Sequence, residues 1–515
     1  MTEDRRHQTA SHKYLRPIVL RRASQGVNLL LWLVLLFGPI YGLLPSLVPL
    51  DLYLSLDPLS GITAALAGRV LLPALLLGGL TLLLTLLLGR VFCGWLCPLG
   101  TLIDLLGGGA DLLRQRLRGR GRVRRASPGA AATALPAGRL VAALSWRGTK
   151  LVLLLLLLVA ALGGLQLTWL VDPLPLVTRA FGLAGLPQTA SPVAPPPDGL
   201  VLAGRLAALL LGVILLAAVL QRRWWCRTAC PLGALLALVS RFSWYRLLSR
   251  GCTHCGRCLA DCPMGLRDLR TGHEDPECIR CYRCAESCPQ QGVELGRPTP
   301  EAAVLPALPR RAVIAGLASG AVVGSAHLAL GSSRPLAAPG TAAPPLRPPW
   351  ALPEDEFLAR CVRCGACVRV CPTGTLRPFF LEEGPLALWT PELVPTLGGC
   401  KPECNLCAQA CPTGAIAPFD LVTKYQVKAG IAKFDLRRCV AYGPAERPCS
   451  ACLPVCPTAA FRIHRCMHTG IPKPRAVLAD RCVGCGLCEY VCTIETHGEP
   501  ALTTSGRGRG EPTRL

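Results

Sequence analysis

Cys252-Thr-His-Cys255-Gly-Arg-Cys258-Leu-Ala-Asp-Cys262-Pro263 is followed, a short loop later, by Cys278-Ile-Arg-Cys281-Tyr-Arg-Cys284-Ala-Glu-Ser-Cys288-Pro289. Both stretches read C-x2-C-x2-C-x3-C-P, and two in tandem form the pattern of a two-cluster bacterial ferredoxin. The tight loop lets three thiolates wrap one cubane, while the fourth, ahead of a proline that ends the turn, ligates the other. Cys252, Cys255 and Cys258 are therefore expected with Cys288, and Cys278, Cys281 and Cys284 with Cys262. Four more sets lie downstream: Cys361, Cys364, Cys367, Cys371; Cys400, Cys404, Cys407, Cys411; Cys439, Cys449, Cys452, Cys456; and Cys482, Cys485, Cys488, Cys492. The fourth and fifth of the six have stretched spacings, with three residues after Cys400 and nine after Cys439, and Thr493 replaces the usual proline in the last. Zinc ribbons separate their C-x2-C halves by about 12 to 20 residues, so the spacing points to six [4Fe–4S] clusters in α+β bacterial-ferredoxin-like domains.

Composition agrees. The chain has 515 residues, 51% apolar and 17% charged, with 29 cysteines and a net charge of +24. The apolar share excludes disorder as the main state, the leucine runs argue against an ordinary soluble enzyme, and the size against a disulfide-stapled secreted domain. The charge sum counts cysteine as neutral. Six cluster units at roughly −2 each bring it to about +12, so no nucleic-acid partner is needed to explain the basic excess.

Uncharged apolar stretches run over 23–50, 70–89, 151–171 and 206–221. A helix of roughly 20 apolar residues crosses a bilayer core of about 30 Å, and the fourth stretch lengthens if Arg205 snorkels. The expectation is an α-helical membrane bundle of four spans. Lysine and arginine concentrate in the leader (Arg5, Arg6, Lys13, Arg16, Arg21, Arg22) and in the loop from Arg114 to Arg125, which places both ends of the bundle in the cytoplasm. The arginine run has no interleaved aromatics, as expected of a juxtamembrane loop rather than an RNA site.

The bundle carries a repeat. Asp57-Pro58-Leu59 and Asp172-Pro173-Leu174 are each followed by an apolar stretch and then by a cysteine pair, Cys93-Gly-Trp-Leu-Cys97-Pro-Leu-Gly100 and Cys226-Arg-Thr-Ala-Cys230-Pro-Leu-Gly233. A spacing of four puts both sulfurs of a pair on one helical face, where they hold a metal, form a redox pair, or simply pack. The aspartates are expected at the outer ends of the bundle and the cysteines at its inner mouth. No histidine lies between His12 and His254, and no C-x-x-C-H occurs, so neither bis-histidine haem nor covalent haem is expected.

Between the cysteine-rich regions, Arg310-Arg311 precede the uncharged stretch 312–333 and a proline-rich linker. The stretch reads as a twin-arginine export signal, a fifth span or a buried hairpin; the first two put the later cysteines outside. The domain plan is thus a membrane domain over 1–250, a two-cluster ferredoxin over 251–300, the twin-arginine-like segment and linker over 301–353, a four-cluster ferredoxin over 354–500, and a disordered tail over 501–515. Cys466 is expected to be a packing or surface residue.

Residues 20–290, with both C-x3-C-P-L-G copies and the double ferredoxin, resemble the membrane ferredoxin NapH of periplasmic nitrate reductase systems. Residues 309–493, with Arg310-Arg311, Arg347-Pro348-Pro349 and four sequential cluster motifs, resemble its partner NapG and the related MauM. The resemblance implies a fused quinol dehydrogenase relay, drawing on the membrane quinone pool and passing electrons to a periplasmic redox partner, a terminal reductase or a cytochrome. It implies an inner-membrane, multi-pass location with the first ferredoxin cytoplasmic and the second periplasmic. It also implies nested ligation in the four-cluster domain: Cys361, Cys364 and Cys367 with Cys492; Cys482, Cys485 and Cys488 with Cys371; and exchange of Cys411 and Cys456 between the middle sets. Quinol oxidation releases protons, for which Asp57 and Asp172 are the matched carboxylates, although Asp-Pro is also a common helix cap. Two other functions fit parts of the pattern: a copper reductase or metalloenzyme assembly factor binding a soft ion at Cys93, Cys97, Cys226 and Cys230, and a redox-sensing regulator. With only three methionines, the chain offers no methionine-rich copper tract.

Overall fold

The computed structural model describes residues 3–38, 51–117, 148–184, 198–249, 251–266, 276–297, 308–329, 345–380, 386–442, 449–465, 472–496 and 498–506. The arginine run beyond residue 117, the proline-rich linker up to residue 344, Cys466 and the end of the chain beyond residue 506 lie outside the described residues, as does the end of the first expected span. Two compact units divide the chain: Met1–Leu36 with Tyr53–Val177 and Leu209–Ala326, and Phe37–Leu52 with Thr178–Ala208 and His327–Leu515.

The first unit is built on the helices α1 (Glu3–Phe37), α2 (Pro58–Gly68), α3 (Ala74–Leu88), α4 (Pro98–Leu117), α5 (Thr149–Leu162), the start of α6 (Pro173–Ala184), the later part of α7 (Asp198–Leu220), α8 (Pro231–Ser240) and α9 (Arg310–Ala329). Among the described residues, three stretches are helical, long and apolar enough to cross a membrane: Pro17–Phe37, Leu202–Leu220 and Arg310–Ala329. The second and third expected spans contain shorter helices. Pro73 starts α3, leaving it 15 residues, and Gly163 ends α5 at 14. At 1.5 Å per residue each covers about 22 Å, less than a hydrocarbon core. The short helices α2 and α8 pack beside α3 and α5.

α9 docks on α5 through a glycine ridge. A methyl group on Gly316 would meet the Val152 backbone at 3.1 Å, and one on Gly320 the Leu156 backbone at 3.1 Å. Glycine every fourth residue lets two helix backbones touch, which in lipid substitutes for the missing hydrophobic force. The first ferredoxin closes the unit. Its strands β1 (Arg246–Ser249) and β2 (Val293–Gly296) pair antiparallel, Arg246 opposite Gly296, so this domain starts a few residues before the expected boundary at 251.

In the second unit, antiparallel pairs frame four cysteine sets: β3 (Leu376–Pro378) with β4 (Pro391–Leu393), β5 (Gly430–Phe434) with β8 (Leu502–Gly506), and β6 (Phe461–Arg465) with β7 (Pro472–Val477). The hairpins and short helices give the expected α+β character. Two boundaries move. Leu502 is buried opposite Phe434 in β8, so the described chain remains ordered past residue 501, where a tail was expected. Buried Leu346 accepts from the Leu393 amide at 2.7 Å and Arg347 pairs with Glu354 at 2.5 Å, so the domain begins before residue 354. Within this unit the later part of α6 and the start of α7 pack on the first cysteine set. Arg179 lies 3.8 Å over the Trp389 ring, and Trp389 Nε1 donates to the Ala203 carbonyl at 3.2 Å.

Candidate metal centres

Each compact C-x2-C-x2-C loop turns on two residues in the left-handed region. They are His254 and Gly256, Arg280 and Tyr282, Arg363 and Gly365, and Gly484 and Gly486, with φ between 49° and 74°. The two reversals wrap the loop and leave the third cysteine on a short helix such as Ala366–Arg369. Glycine adopts this conformation without strain; Tyr282 shows that the wrap is required even where glycine is absent.

The fourth ligands come from neighbouring sets. Cys252, Cys255, Cys258 and Cys288 line one cavity, and Cys262 faces Cys281 and Cys284, as the spacing predicts. The four-cluster domain differs from the nested expectation. Cys361, Cys364 and Cys367 gather with Cys411, not Cys492. Cys371 lines a cavity with Cys400, Cys404 and Cys407. Cys456 lines another with Cys482, Cys485 and Cys488, and Cys492 joins Cys439, Cys449 and Cys452. The four cysteine sets are therefore paired as two successive ferredoxin-like halves. The β3–β4 pair and the β6–β7 hairpin each bring consecutive sets together, and closing a short loop costs less chain entropy than spanning the whole domain. The halves join where the Cys400 amide donates to the Cys485 carbonyl at 2.8 Å. The spatial order of the sets is thus 361, 400, 482, 439, with the last two reversed from the sequence.

The donor sets fit cubanes. Cysteines of one set gather with the last cysteine of its neighbour. Loops of this spacing would hold a four-iron core, which supplies one-electron chemistry when bound. Burial, then repulsion from Cys361 and Cys411 against one amide from Ala366, pushes the Cys364 thiol up to about 12. Such crowding favours cations that displace the protons. Backbone amides also approach the sulfurs: Ala460 to Cys456 at 3.2 Å, and Ala501 to Cys492 at 3.2 Å. Bonds of this kind tune cluster potentials. Where Thr493 replaces proline, the helix Leu487–Glu495 continues, and the threonine hydroxyl donates to the Glu489 carbonyl at 2.9 Å.

The structure also brings together the six residues of the duplicated motifs. Cys93, Cys97, Cys226 and Cys230 are all buried and line one cavity with Pro173. Asp57 caps α2, accepting from the Leu59 amide at 3.0 Å and the Ser60 amide at 3.3 Å. Asp172 accepts from Ser60 Oγ at 3.1 Å. The two carboxyls meet in a hydrogen bond, both wholly buried, while Asp57 Oδ2 and Asp172 Oδ1 find no other donor among the described residues. Two buried carboxylates in contact cannot both be ionised, so a proton is held between them. Thr63, Gln166 and Thr168 extend the polar patch, with Thr63 Oγ1 and Thr168 Oγ1 2.7 Å apart. Asp172 lies within electrostatic range of Cys230, and Pro173 walls the cysteine cavity. The expected separation, aspartates at one end and cysteines at the other, is thus replaced by adjacency, because short helices carry the Asp-Pro caps inward.

Four charged residues around this cavity were not singled out by the motifs. Arg90 and Arg223 each precede the first cysteine of a copy by three residues, so the repeat is longer than C-x3-C-P-L-G, and aligning the copies outward finds them. Asp104 accepts from Arg223 Nε at 2.8 Å and from Arg21. Glu277, on the first ferredoxin, accepts from Arg90 and Lys150. The ferredoxin sits directly on the first copy. Trp95 Nε1 donates to the Arg280 carbonyl at 3.1 Å, and the Ile279 carbonyl leaves no room for a side chain at Gly94.

Paired ligand sets of this kind, framed by small hairpins, define an iron–sulfur protein of the ferredoxin type, built to transfer electrons. A 4Fe-4S binding domain matches residues 70–121 and 202–250, a 4Fe-4S dicluster domain 399–460, and further 4Fe-4S binding domains 358–377, and 250–265, 276–291 and 479–495. MauM of Methylorubrum extorquens, a methylamine utilization ferredoxin-type protein, is 38% identical over 177 residues, 32% of this chain and 77% of its own. NapG of Escherichia coli, also a ferredoxin-type protein, is 32% identical over 167 residues, 30% of this chain and 68% of its own. The chain belongs to this MauM and NapG family of ferredoxin-type proteins. YccM of Escherichia coli, named for electron transport, is 30% identical over 219 residues, 40% of this chain; the match spans about half of YccM, 51%. No solved structure matches the chain.

Proposed function

We propose that the chain is a NapH-like membrane ferredoxin fused to a NapG-like one, and that it oxidises a membrane quinol and relays single electrons to a redox partner outside the cytoplasmic membrane. One observation carries this reading: a buried pair of carboxyls, Asp57 and Asp172, beside a cavity lined by four cysteines. Oxidation of a quinol to a quinone releases two electrons and two protons, so it needs a proton acceptor next to a one-electron acceptor. The carboxyl pair, already holding one proton, takes a second and passes it on before the next arrives; Ser60 orients Asp172, and the α2 amides orient Asp57. Iron–sulfur clusters supply one-electron chemistry with little rearrangement when bound by the cysteine sets. The protein's part is to hold the sets contiguous, through Cys367 near Cys407, Cys400 at Cys485, and Cys488 near Cys452.

We assign α1, α3, α5 and α7 to the bilayer. α9 is the fifth span, a reading supported by its length, its apolar surface and its glycine ridge against α5. With Arg310 and Arg311 inside, α9 carries the four-cluster ferredoxin to the periplasmic side, while the first ferredoxin stays in the cytoplasm. We take the acceptor to be a terminal reductase or a cytochrome.

The test is quinol-dependent cluster reduction in nanodiscs. Asparagine keeps both helix caps, so Asp57→Asn with Asp172→Asn should fold yet lose about 100-fold or more in the rate with a reduced quinone analogue. Reduction by dithionite should be unaffected. An unchanged quinol rate removes the pair from the mechanism.

A further inference from the structure

The cavity between the two cysteine pairs is built symmetrically by exchange. Arg90, from the first copy, lies against Gly233 of the second: a methyl group there would meet the guanidinium at 2.8 Å. Arg223, from the second copy, donates to the Cys93 carbonyl at 3.2 Å and the Gly100 carbonyl at 3.4 Å of the first. Each copy therefore completes the other's wall. The second cysteine of each pair also precedes a helix whose amide points at it, Gly100 N to Cys97 Sγ at 3.5 Å and Gly233 N to Cys230 Sγ at 3.2 Å. Arg90 Nη2 stands 3.8 Å from Cys93 Sγ. Both arginines are buried, 1% exposed.

The charges call for an anionic occupant. Arg21, Arg90, Lys150 and Arg223 are buried on the side facing the first ferredoxin and are met there by Asp104 and Glu277, a positive excess of two. The Asp57–Asp172 pair, with its shared proton, supplies one negative charge on the opposite wall. A disulfide brings no charge to such a site. Four thiolates around a [4Fe–4S]²⁺ core bring about −2, as would four around zinc. The four cysteines surround one cavity, and metal analysis separates a cluster there from a single zinc or cuprous ion. Cys281, a ligand of the nearer ferredoxin cluster, is close enough to act on Arg223 and Arg21.

We propose that Cys93, Cys97, Cys226 and Cys230 hold a seventh [4Fe–4S] cluster shared between the two repeats, with Arg90 and Arg223 as positioning residues that neutralise it. The assignment names the first electron acceptor of the proposed quinol oxidation and rests on that reading only for its role, since metal content is measured without quinol.

Full-length protein, purified anaerobically in detergent, should contain about 28 iron and 28 acid-labile sulfide per chain, against about 24 for six clusters. Cys97→Ser with Cys230→Ser should lose about four of each, together with one S = 1/2 signal from the dithionite-reduced EPR spectrum, and leave the ferredoxin signals in place. Should the serine variant fail to fold, Arg90→Lys and Arg223→Lys keep the charge and the ligands. Each should retain the iron while shifting the midpoint potential of that one signal. Wild-type iron near 24, with zinc or copper at one per chain and lost in the serine variant, overturns the proposal. So does iron unchanged by the double serine substitution. Either result leaves the quinol reading to its own rate assay.

Discussion

The ferredoxin of residues 252–288 and that of residues 361–492 follow one ligation rule at different depths. In both, three cysteines of a set share a site with the last cysteine of the neighbouring set. In the first, Cys252 and Cys255 are exposed; in the second, Cys361, Cys364 and Cys367 are buried, under α6 residues and the Trp389 loop of the same unit. Sequence spacing carries the rule but not the depth. Burial and amide contacts set the potential and the accessibility of a cluster, so the same motif leaves its cysteines open at Cys252 and Cys255 and covered at Cys278 and at Cys361.

The shared rule can be broken most visibly by pairing substitutions. Cys361 and Cys411 face one site, so Cys361→Ser with Cys411→Ser should cost about four iron per chain, whereas Cys361→Ser with Cys492→Ser should cost about eight. Nested ligation predicts the reverse, and iron analysis of the two proteins decides between them.

How much of this was legible in the sequence depends on range. The first ferredoxin's cross-ligation follows from two motifs one short loop apart, and the pairing is as expected. The four-cluster pairing was misassigned because the deciding contacts, Leu376 opposite Leu393 and Phe461 opposite Val477, are strand registers that cysteine spacing does not encode. The Asp-Pro and cysteine motifs were found, but counting spans as full-length helices put them at opposite ends. Gly163 and Pro73, which cut those helices short, were in plain view; that short helices would pack beside them was not. Arg90 and Arg223 needed only a longer alignment of the repeat.

The contrast in depth is sharpened by a chelator. Under oxidising conditions, a membrane-impermeant iron chelator added to solubilised protein should remove about four iron in a fast phase from the Cys252, Cys255, Cys258 and Cys288 site. The buried sets should follow at least about tenfold more slowly, since exposure governs oxidation of the ligands. A single uniform phase would show that depth does not separate the two regions.

The first ferredoxin is also docked by charge, which the second is not required to share. Glu277 holds Arg90 and Lys150, both buried. Glu277→Gln leaves two buried cations short of a partner, a loss that reaches 3–5 kcal/mol in fully buried pairs. Glu277 keeps 22% of its side chain exposed, so water screens the site and about 2 kcal/mol is expected. The thermal midpoint for bleaching of the first ferredoxin should fall, while that of the four-cluster domain stays.

The smallest effect probes the left-handed wrap that both regions need. Gly365 sits at φ 74°, and Tyr282 holds the corresponding position in the first ferredoxin at φ 58°. Placing a Cβ in this conformation costs about 1–2 kcal/mol. Gly365→Ala should therefore lower the denaturation midpoint of the four-cluster domain by that amount, with no crowding added, since the nearest atoms to the new methyl group stand at 4.0 Å. Tyr282→Gly runs the exchange the other way. It relieves the strain but frees the unfolded backbone and gives up the ring's contacts, so its net effect should stay within about 1 kcal/mol of zero. If Gly365→Ala were neutral while Tyr282→Gly were strongly destabilising, the wrap would be held by side-chain packing rather than by backbone conformation, and the two ferredoxins would share a motif without sharing the reason for it.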